Sequence, residues 1–198
     1  MMKPFQEPNL TMLTDFYELT MANGYFANGL GDTICYFDMF FRKVPDKGGF
    51  AIMAGVEQLV DYLKNLRFRE EDIEFLRQKH IFNREFLEYL RNFKFSCDVW
   101  AVPEGTPIFP GEPIVTVRGP AIQAQFIETM VLLCVNHQSL IATKANRIVR
   151  AAQGRAGGKG RVYRRLRGHS LYYQRPEIRC AGFGHHGSQL GAAVPHRV

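Results

Sequence analysis

Of the 19 acidic residues in this 198-residue chain, 18 precede residue 155 and only Glu177 follows it. That asymmetry constrains the fold more than any other feature, because it marks which part can build a core. Residues 1–154 carry 16 Lys and Arg against those 18 carboxylates, close to charge balance. Residues 155–198 carry 9 Lys and Arg, 4 of the 6 His and 8 of the 18 Gly, so the tail's net +8 against the −2 of the first part accounts for the formal net charge of +6. The first part, rich in Phe, Leu, Ile and Val, is long enough to bury one substantial core. The second part is basic and Gly-rich, a composition that predicts disorder.

The longest clear apolar run, Met130 to Val135, falls far short of the ~18 residues that cross a bilayer, so no membrane association is expected. The opening Met-Met-Lys-Pro-Phe-Gln-Glu-Pro has no apolar h-region and does not read as a secretory signal. Cys35, Cys97, Cys134 and Cys180 are widely spaced, with no CxxC pair for zinc or redox work. They read as reduced thiols, three of them in apolar settings. The expected address is cytoplasmic.

Spacing predicts a helix from about Thr14 to Phe26, with Met12, Phe16, Leu19 and Phe26 on one side. Asp15 and Glu18 sit early in it, where carboxylates suit the helix dipole. Asn28-Gly29 and Gly31 stop it. Thr33 to Phe41 reads as a strand covered on both faces; Asp38 interrupts its apolar pattern and Arg42-Lys43 ends it. Lys47-Gly48-Gly49 is a turn. Val56, Leu59, Val60 and Leu63 mark the next helix, and shorter ones follow around Glu70–Lys79 and Asn83–Phe93. Cys97 to Val102 and Ile114 to Val117 read as strands, with Pro103-Glu104-Gly105, Pro107 and Pro110-Gly111 turning the chain between them. After Gly119-Pro120, a buried helix is predicted from Ala121 to about Val135. A separate final helix carries Ile141, Ala145, Ile148, Val149 and Ala152. Helices, a compact β module and helices again give an α+β class.

Three polar groupings could carry chemistry. Asp15 and Tyr17 face away from the Phe16/Leu19 stripe. Tyr17 offers both a ring face and a hydroxyl, which suits a flat heteroaromatic acid; the alternative is a solvated helix face with a capping Asp. Arg42 and Lys43 could receive phosphate or pyrophosphate, with Arg as the bidentate partner, or could simply mark the return to solvent. Ser139 reads as an N-cap. Thr143, Lys144 and Arg147, spaced three and four apart, would share a face that borders an anion site or meets water. No P-loop is present. No apolar run ends in the paired carboxylates that grip ribose and magnesium in the common phosphoribosyltransferase fold. His185-His186 has no partners at metal-ligand spacing, so no metal site is expected.

The segment Leu13-Thr14-Asp15-Phe16-Tyr17-Glu18-Leu19-Thr20-Met21-Ala22 resembles the amino-terminal signature of nicotinate phosphoribosyltransferases. Four later segments agree in order and spacing. They are Phe40-Phe41-Arg42-Lys43-Val44-Pro45; Gly49-Phe50-Ala51-Ile52-Met53-Ala54-Gly55; Pro103-Glu104-Gly105 with Pro110-Gly111-Glu112-Pro113; and Leu140-Ile141-Ala142-Thr143-Lys144. The likeness covers 1–154. It implies an enzyme of NAD salvage that joins nicotinate to phosphoribosyl pyrophosphate, giving nicotinate mononucleotide and pyrophosphate. ATP hydrolysis would be coupled through a phosphorylated His, with Mg2+ assisting. It also implies an α+β amino-terminal domain followed by an α/β barrel, in a homodimer whose active site lies between subunits. Tyr17 would contact the nicotinate ring in the neighbouring subunit's site. Asp15, Arg42 and Thr143 match family positions as further substrate-binding candidates.

The family continues beyond this point with a Phe-Gly-Ser-Arg-Arg-Ala-like element and then a Met-Ala-His-Ser-Trp-like segment holding the phosphorylated His. Neither is present, and His169-Ser170 lacks the flanking residues, so no catalytic residue is assigned. The expectation is a domain with most of the barrel missing, truncated and inactive, whose residues 156–198 are an out-of-frame reading of the barrel-coding region. A Phe-Gly-x-Arg-Arg-like segment in another frame of the same DNA is the expected sign. The competing function is nucleic-acid binding by the tail, with its Arg and Lys on phosphates and Tyr163, Tyr172, Tyr173 and Phe183 stacking on bases.

Overall fold

The computed structural model describes residues 9–44 and 47–152. In chain order the described residues form α1 (Phe16–Ala27), β1 (Ile34–Met39), β2 (Ala51–Ile52), α2 (Val56–Asn65), α3 (Glu70–Arg77) and α4 (Arg84–Arg91). There follow β3 (Asp98–Ala101), β4 (Pro107–Ile108), β5 (Val115–Pro120), α5 (Ala121–Gln125) and α6 (Glu128–Ala151). Helices and strands are interleaved around an antiparallel sheet, the α+β class that the element order predicts.

Local chemistry sets the element ends. The Asp72 carboxylate, at the third position of α3, accepts the Arg69 N–H at 2.7 Å and the Asn9 side-chain N–H at 2.8 Å. It thereby satisfies a helix-start donor and ties down the chain's first described residue. In α4, Phe86, Leu87 and Leu90 are buried on one face, with Glu85 in the first turn and Arg91 in the last, each complementing the helix dipole. Arg91 also reaches Glu70 on α3 at 2.7 Å, an exposed pair that adds little to stability.

β5 is the central strand of a three-stranded sheet ordered β1-β5-β3, antiparallel throughout; β2 and β4 form a separate two-stranded ribbon. Alternate residues of β5, Val115, Val117 and Gly119, are buried, as expected for a strand with one face on the core. Below it, an aromatic seam joins α1, α4 and the α5–α6 junction. Phe93 contacts both Phe68 and Phe126 edge-on, with ring centroids 5.7 and 5.5 Å apart, and Phe26 meets Phe86 at 5.7 Å. Such pairs contribute about 0.5–1.5 kcal/mol each beyond area burial.

Several expectations from the sequence are corrected. The strand at 34–39 is not covered on both faces: it is an edge strand, and Ile34, Tyr36 and Phe37 are exposed, as is Phe40 just after it. Apolar residues on both faces call for a cover, but no described element supplies one. Asp38, the polar interruption of the apolar pattern, is exposed and accepts a hydrogen bond from the Thr116 hydroxyl at 2.5 Å across the β1–β5 ladder.

The helix break expected between Val135 and Ile141 is absent. The chain bends instead at Phe126-Ile127, and α6 runs unbroken from Glu128 to Ala151. Ser139 is therefore a buried residue inside the helix and caps nothing. The helical stretch Ala121–Ala151 is long and apolar enough, by length and composition alone, to cross a membrane, contrary to the sequence expectation; 44% of its most apolar window is buried within the fold, where α6 packs on β2 and α2. Phe16, expected in the core stripe of α1, is half-exposed, whereas Glu18 is fully buried. The basic tail, with Tyr163, Tyr172, Tyr173, Phe183, Cys180 and His185-His186, lies outside the described residues.

Candidate functional site

Tyr17 stands in the first turn of α1, and its ring is 44% exposed. Four hydrogen bonds hold that turn. Glu18, the next residue, points inward because it shares a helix face with Ala22, itself fully buried. Its carboxylate accepts the Thr129 hydroxyl at 2.5 Å and the Thr129 N–H at 3.2 Å on one oxygen, and the Thr14 hydroxyl on the other. The Thr129 oxygen in turn accepts the Asp15 N–H at 3.2 Å. A chain of bonds thus runs from the Asp15 backbone through Thr129 to Glu18, stitching the start of α1 to the start of α6.

The electrostatics of this corner are dominated by burial. Desolvation pushes the Glu18 carboxyl above its usual range; hydrogen bonds from Thr129 and Thr14 pull it back only in part, and Glu128 adds to the rise. The Tyr17 phenol is pushed up to about 12, first by partial burial and then by hydrogen bonding to the Glu128 carboxylate, with Glu18 and Asp15 contributing. Tyr62 on α2 is also buried, and Glu18 raises its phenol further. The Tyr62 hydroxyl has no hydrogen-bond partner among the described residues.

Asp15 occupies the N-cap position of α1, with φ −69° and ψ 140°, but its side chain caps nothing and is exposed; its carbonyl accepts the Glu18 N–H at 3.0 Å. The expected capping role of Asp15 is thus carried by its backbone alone.

Arg42 and Thr143 lie elsewhere. Arg42 is exposed just past β1, where the flanking chain is held by Ile114 N–H donating to Met39 O and Gly111 N–H to Phe41 O, both at 2.8 Å. Two residues on, Val44 packs against Gly48, over which the Arg147 guanidinium also lies. Thr143 is buried at that same end of α6. Its hydroxyl accepts the Ile52 N–H at 2.8 Å and donates to the Ser139 carbonyl at 2.6 Å. Ser139 does the matching work one turn earlier, accepting the Ala54 N–H at 3.0 Å and donating to the Ala54 carbonyl at 3.1 Å.

Thr143 and Lys144 consequently face opposite ways, one buried and one exposed, so the shared polar face expected for Thr143, Lys144 and Arg147 does not form. From Thr129 to Thr143 is 14 residues of helix, about 21 Å at 1.5 Å each. The four candidates therefore split two and two: Asp15 and Tyr17 at the start of α6, Arg42 and Thr143 towards its end.

Glu18, Thr129 and Glu128 were missed as site residues in the sequence reading. The available signal for Glu18 was its spacing of four from both Thr14 and Ala22, which places a carboxylate on the face that buries a small residue.

This arrangement makes the described residues an α+β module with helix α6 spanning two separate polar corners. A family model described as the nicotinate phosphoribosyltransferase (NAPRTase) N-terminal domain matches residues 12–136, and the chain belongs to that family. It is 45% identical over 144 residues to a nicotinate phosphoribosyltransferase of Mycobacterium tuberculosis, covering 73% of this chain and 31% of that protein. It is 39% identical over 144 residues to the Bacillus subtilis nicotinate phosphoribosyltransferase, covering 73% and 29%. Among solved structures, human nicotinic acid phosphoribosyltransferase superposes with a TM-score of 0.64 at 39% identity, covering 68% of this chain and 27% of that one. A nicotinate-nucleotide pyrophosphorylase of Pyrococcus furiosus shares the fold, with a TM-score of 0.55 at 24% identity over 77% of this chain and 33% of that one. The chain spans about three-tenths of the length of the curated relatives it matches.

Proposed function

We propose that this chain supplies the amino-terminal part of an enzyme joining nicotinate to phosphoribosyl pyrophosphate, and that Tyr17 contacts the nicotinate ring. The observation that carries this reading is a partly exposed tyrosine ring on a backbone turn pinned by Glu18 and Thr129. An aromatic face held in one place stacks on a flat ring at little entropic cost. Because Asp15 and Tyr17 lie far from Arg42 and Thr143 along α6, the reading assigns these pairs to different sites of a homodimer. Tyr17 reaches into the neighbouring subunit's site.

ATP and Mg2+ belong to the proposed reaction. Among the described residues no three His, Cys, Asp or Glu side chains come together as a metal-holding group, so magnesium is assigned to no residue here and no step is routed through it. The phosphorylated His and the substrate-gripping arginines belong to the barrel. Turnover is accordingly proposed to require the remainder of a family polypeptide, with this chain inactive alone. A cytoplasmic address fits the free thiols of Cys35, Cys97 and Cys134.

Two measurements test the proposal. Incubating this chain with nicotinate, phosphoribosyl pyrophosphate, ATP and Mg2+ is expected to yield no nicotinate mononucleotide; formation above the blank overturns the claim of inactivity. Titrating nicotinate into this chain mixed with a full-length family polypeptide that supplies the barrel, while following the Tyr17 ring resonance, tests the contact itself. A resonance that stays unmoved at saturating nicotinate removes Tyr17 from the site.

A further inference from the structure

We propose that Glu18 is a positioning residue for Tyr17: its buried carboxylate, acting through Thr129, fixes the backbone turn from which the tyrosine ring is presented. The inference rests on the reading that Tyr17 meets the nicotinate ring, and goes beyond it by naming what aims the ring.

The argument begins with the location of the charge. Glu18 is fully buried and, among the described residues, has no cation within salt-bridge distance; its polar contacts there are the Thr14 hydroxyl and the hydroxyl and N–H of Thr129. A carboxylate without a cation survives burial only where several donors converge on it. Three converge here, and two come from one residue of another helix. Leu or Met at this position would fill similar space in α1 without that demand.

What the carboxylate does locally follows from hydroxyl geometry. A threonine oxygen has one proton to donate and lone pairs with which to accept. With its proton committed to Glu18 at 2.5 Å, the Thr129 oxygen presents its lone pairs to the Asp15 N–H at 3.2 Å. That N–H precedes the first turn of α1 and finds no partner within the helix. Its capture leaves Tyr17, two residues on, with a fixed backbone. The backbone beneath the ring is thus held by Thr129, the second residue of α6. The whole device is one residue of α6 gripping both the Glu18 carboxylate and the N-cap amide of α1.

Substitution separates this role from mere packing. In Glu18→Gln a single amide oxygen faces three donors, so at least one hydroxyl must turn and leave its proton unpaired. Thr129→Val is isosteric, removes the hydroxyl link and keeps the Thr129 backbone bond to Glu18. Thr129→Ser restores the hydroxyl.

The test is ring NMR on the chain carrying 13C-labelled tyrosine, with the Tyr17 signal assigned through Tyr17→Phe, together with hydrogen exchange at the Asp15 amide. Thr129→Val and Glu18→Gln are both expected to shift and broaden the Tyr17 ring signal. They should speed Asp15 exchange about tenfold, the loss of one net hydrogen bond. Thr129→Ser is expected to match the parent chain, and the double variant to exceed neither single one. A Tyr17 signal unchanged in folded Thr129→Val overturns the proposal, and so does failure of Thr129→Ser to restore it. If Glu18→Gln does not fold, Thr129→Val and Thr129→Ser still decide. Nicotinate titration of the same samples, mixed with a full-length family polypeptide that supplies the barrel, distinguishes the two claims. A ring that responds to Thr129→Val but not to nicotinate keeps the positioning role and removes the substrate contact.

Discussion

The Gly55 backbone lies so close to Cys134 that a Cβ added at Gly55 would sit 2.4 Å from the Cys134 carbonyl oxygen. Gly55 also has φ 102°, a conformation that L side chains rarely adopt, at the point where the chain enters α2. Glycine is required here twice over, for the torsion and for the approach to α6. Gly55→Ala should therefore destabilise the domain by about 3 kcal/mol or more, read as a fall in the urea midpoint. Gly49→Ala, where nothing lies within 4 Å of the added carbon and φ is ordinary, is the control and should change stability by no more than about 1 kcal/mol.

The clasp between α6 and the 51–54 segment is a hydrogen-bond device. Thr143→Val keeps the shape and removes the acceptor for the Ile52 N–H. The expected cost is about 1–3 kcal/mol, the penalty for stranding a donor away from water. Ser139→Ala should cost a similar amount, and equilibrium denaturation of both single variants measures it.

Removing the carboxylate beside Tyr17 should ease its ionisation. Burial and Glu128 hold the phenol near 12, above its ordinary 10. Glu128→Gln removes the negative charge, so tyrosinate should form at lower pH; burial, the larger cause, keeps the value above 10. Titration of the assigned Tyr17 ring carbon reads this directly, and an unmoved midpoint would deny the Glu128 contact.

Glu18 makes a signed prediction for stability. Its carboxyl is raised in the folded chain, so the folded state holds this proton more tightly than the unfolded one. Its contribution is then fully present below the ordinary carboxylate range and is lost as pH rises through the raised value. Relative to Glu18→Gln, which cannot ionise, the parent chain should lose thermal stability as pH rises above the ordinary carboxylate range. A difference that is flat, or that grows in the parent's favour with pH, would contradict the burial argument.

Where the sequence reading succeeded and where it failed has a physical pattern. Helices α2, α3 and α4 were legible because Val56 and Leu59, Ile73 and Leu76, then Phe86, Leu87 and Leu90 bury at the spacing that local periodicity records. The extent of β1 was legible, but its cover was not. Alternation shows that Ile34, Tyr36 and Phe37 want burial, not whether any element lies over them. Continuity of α6 was hidden by Asn136 to Ser139, whose polar groups read as a helix start. The acceptors and donors that draw Ser139 and Thr143 into the core belong to Ala54 and Ile52, 85 and 91 residues away in the chain. Tyr17, Asp15 and Arg42 could be nominated from resemblance to the family. Glu18 was passed over because a carboxylate near a helix start is ordinarily solvated.

The sheet's strand order also dictates a timetable. β1 leaves the ribosome early, yet its hydrogen-bonding partner is β5, with Thr116 standing opposite Asp38 78 residues later. Until that stretch has emerged, the β1 edge and its aromatic side chains travel without a mate, while α2, α3 and α4 can already form from local contacts. At a synthesis rate of about 5–20 residues per second, the wait lasts several seconds. An exposed strand edge held open that long is a natural target for holding chaperones, and a slowed ribosome between β1 and β5 would lengthen the hazard.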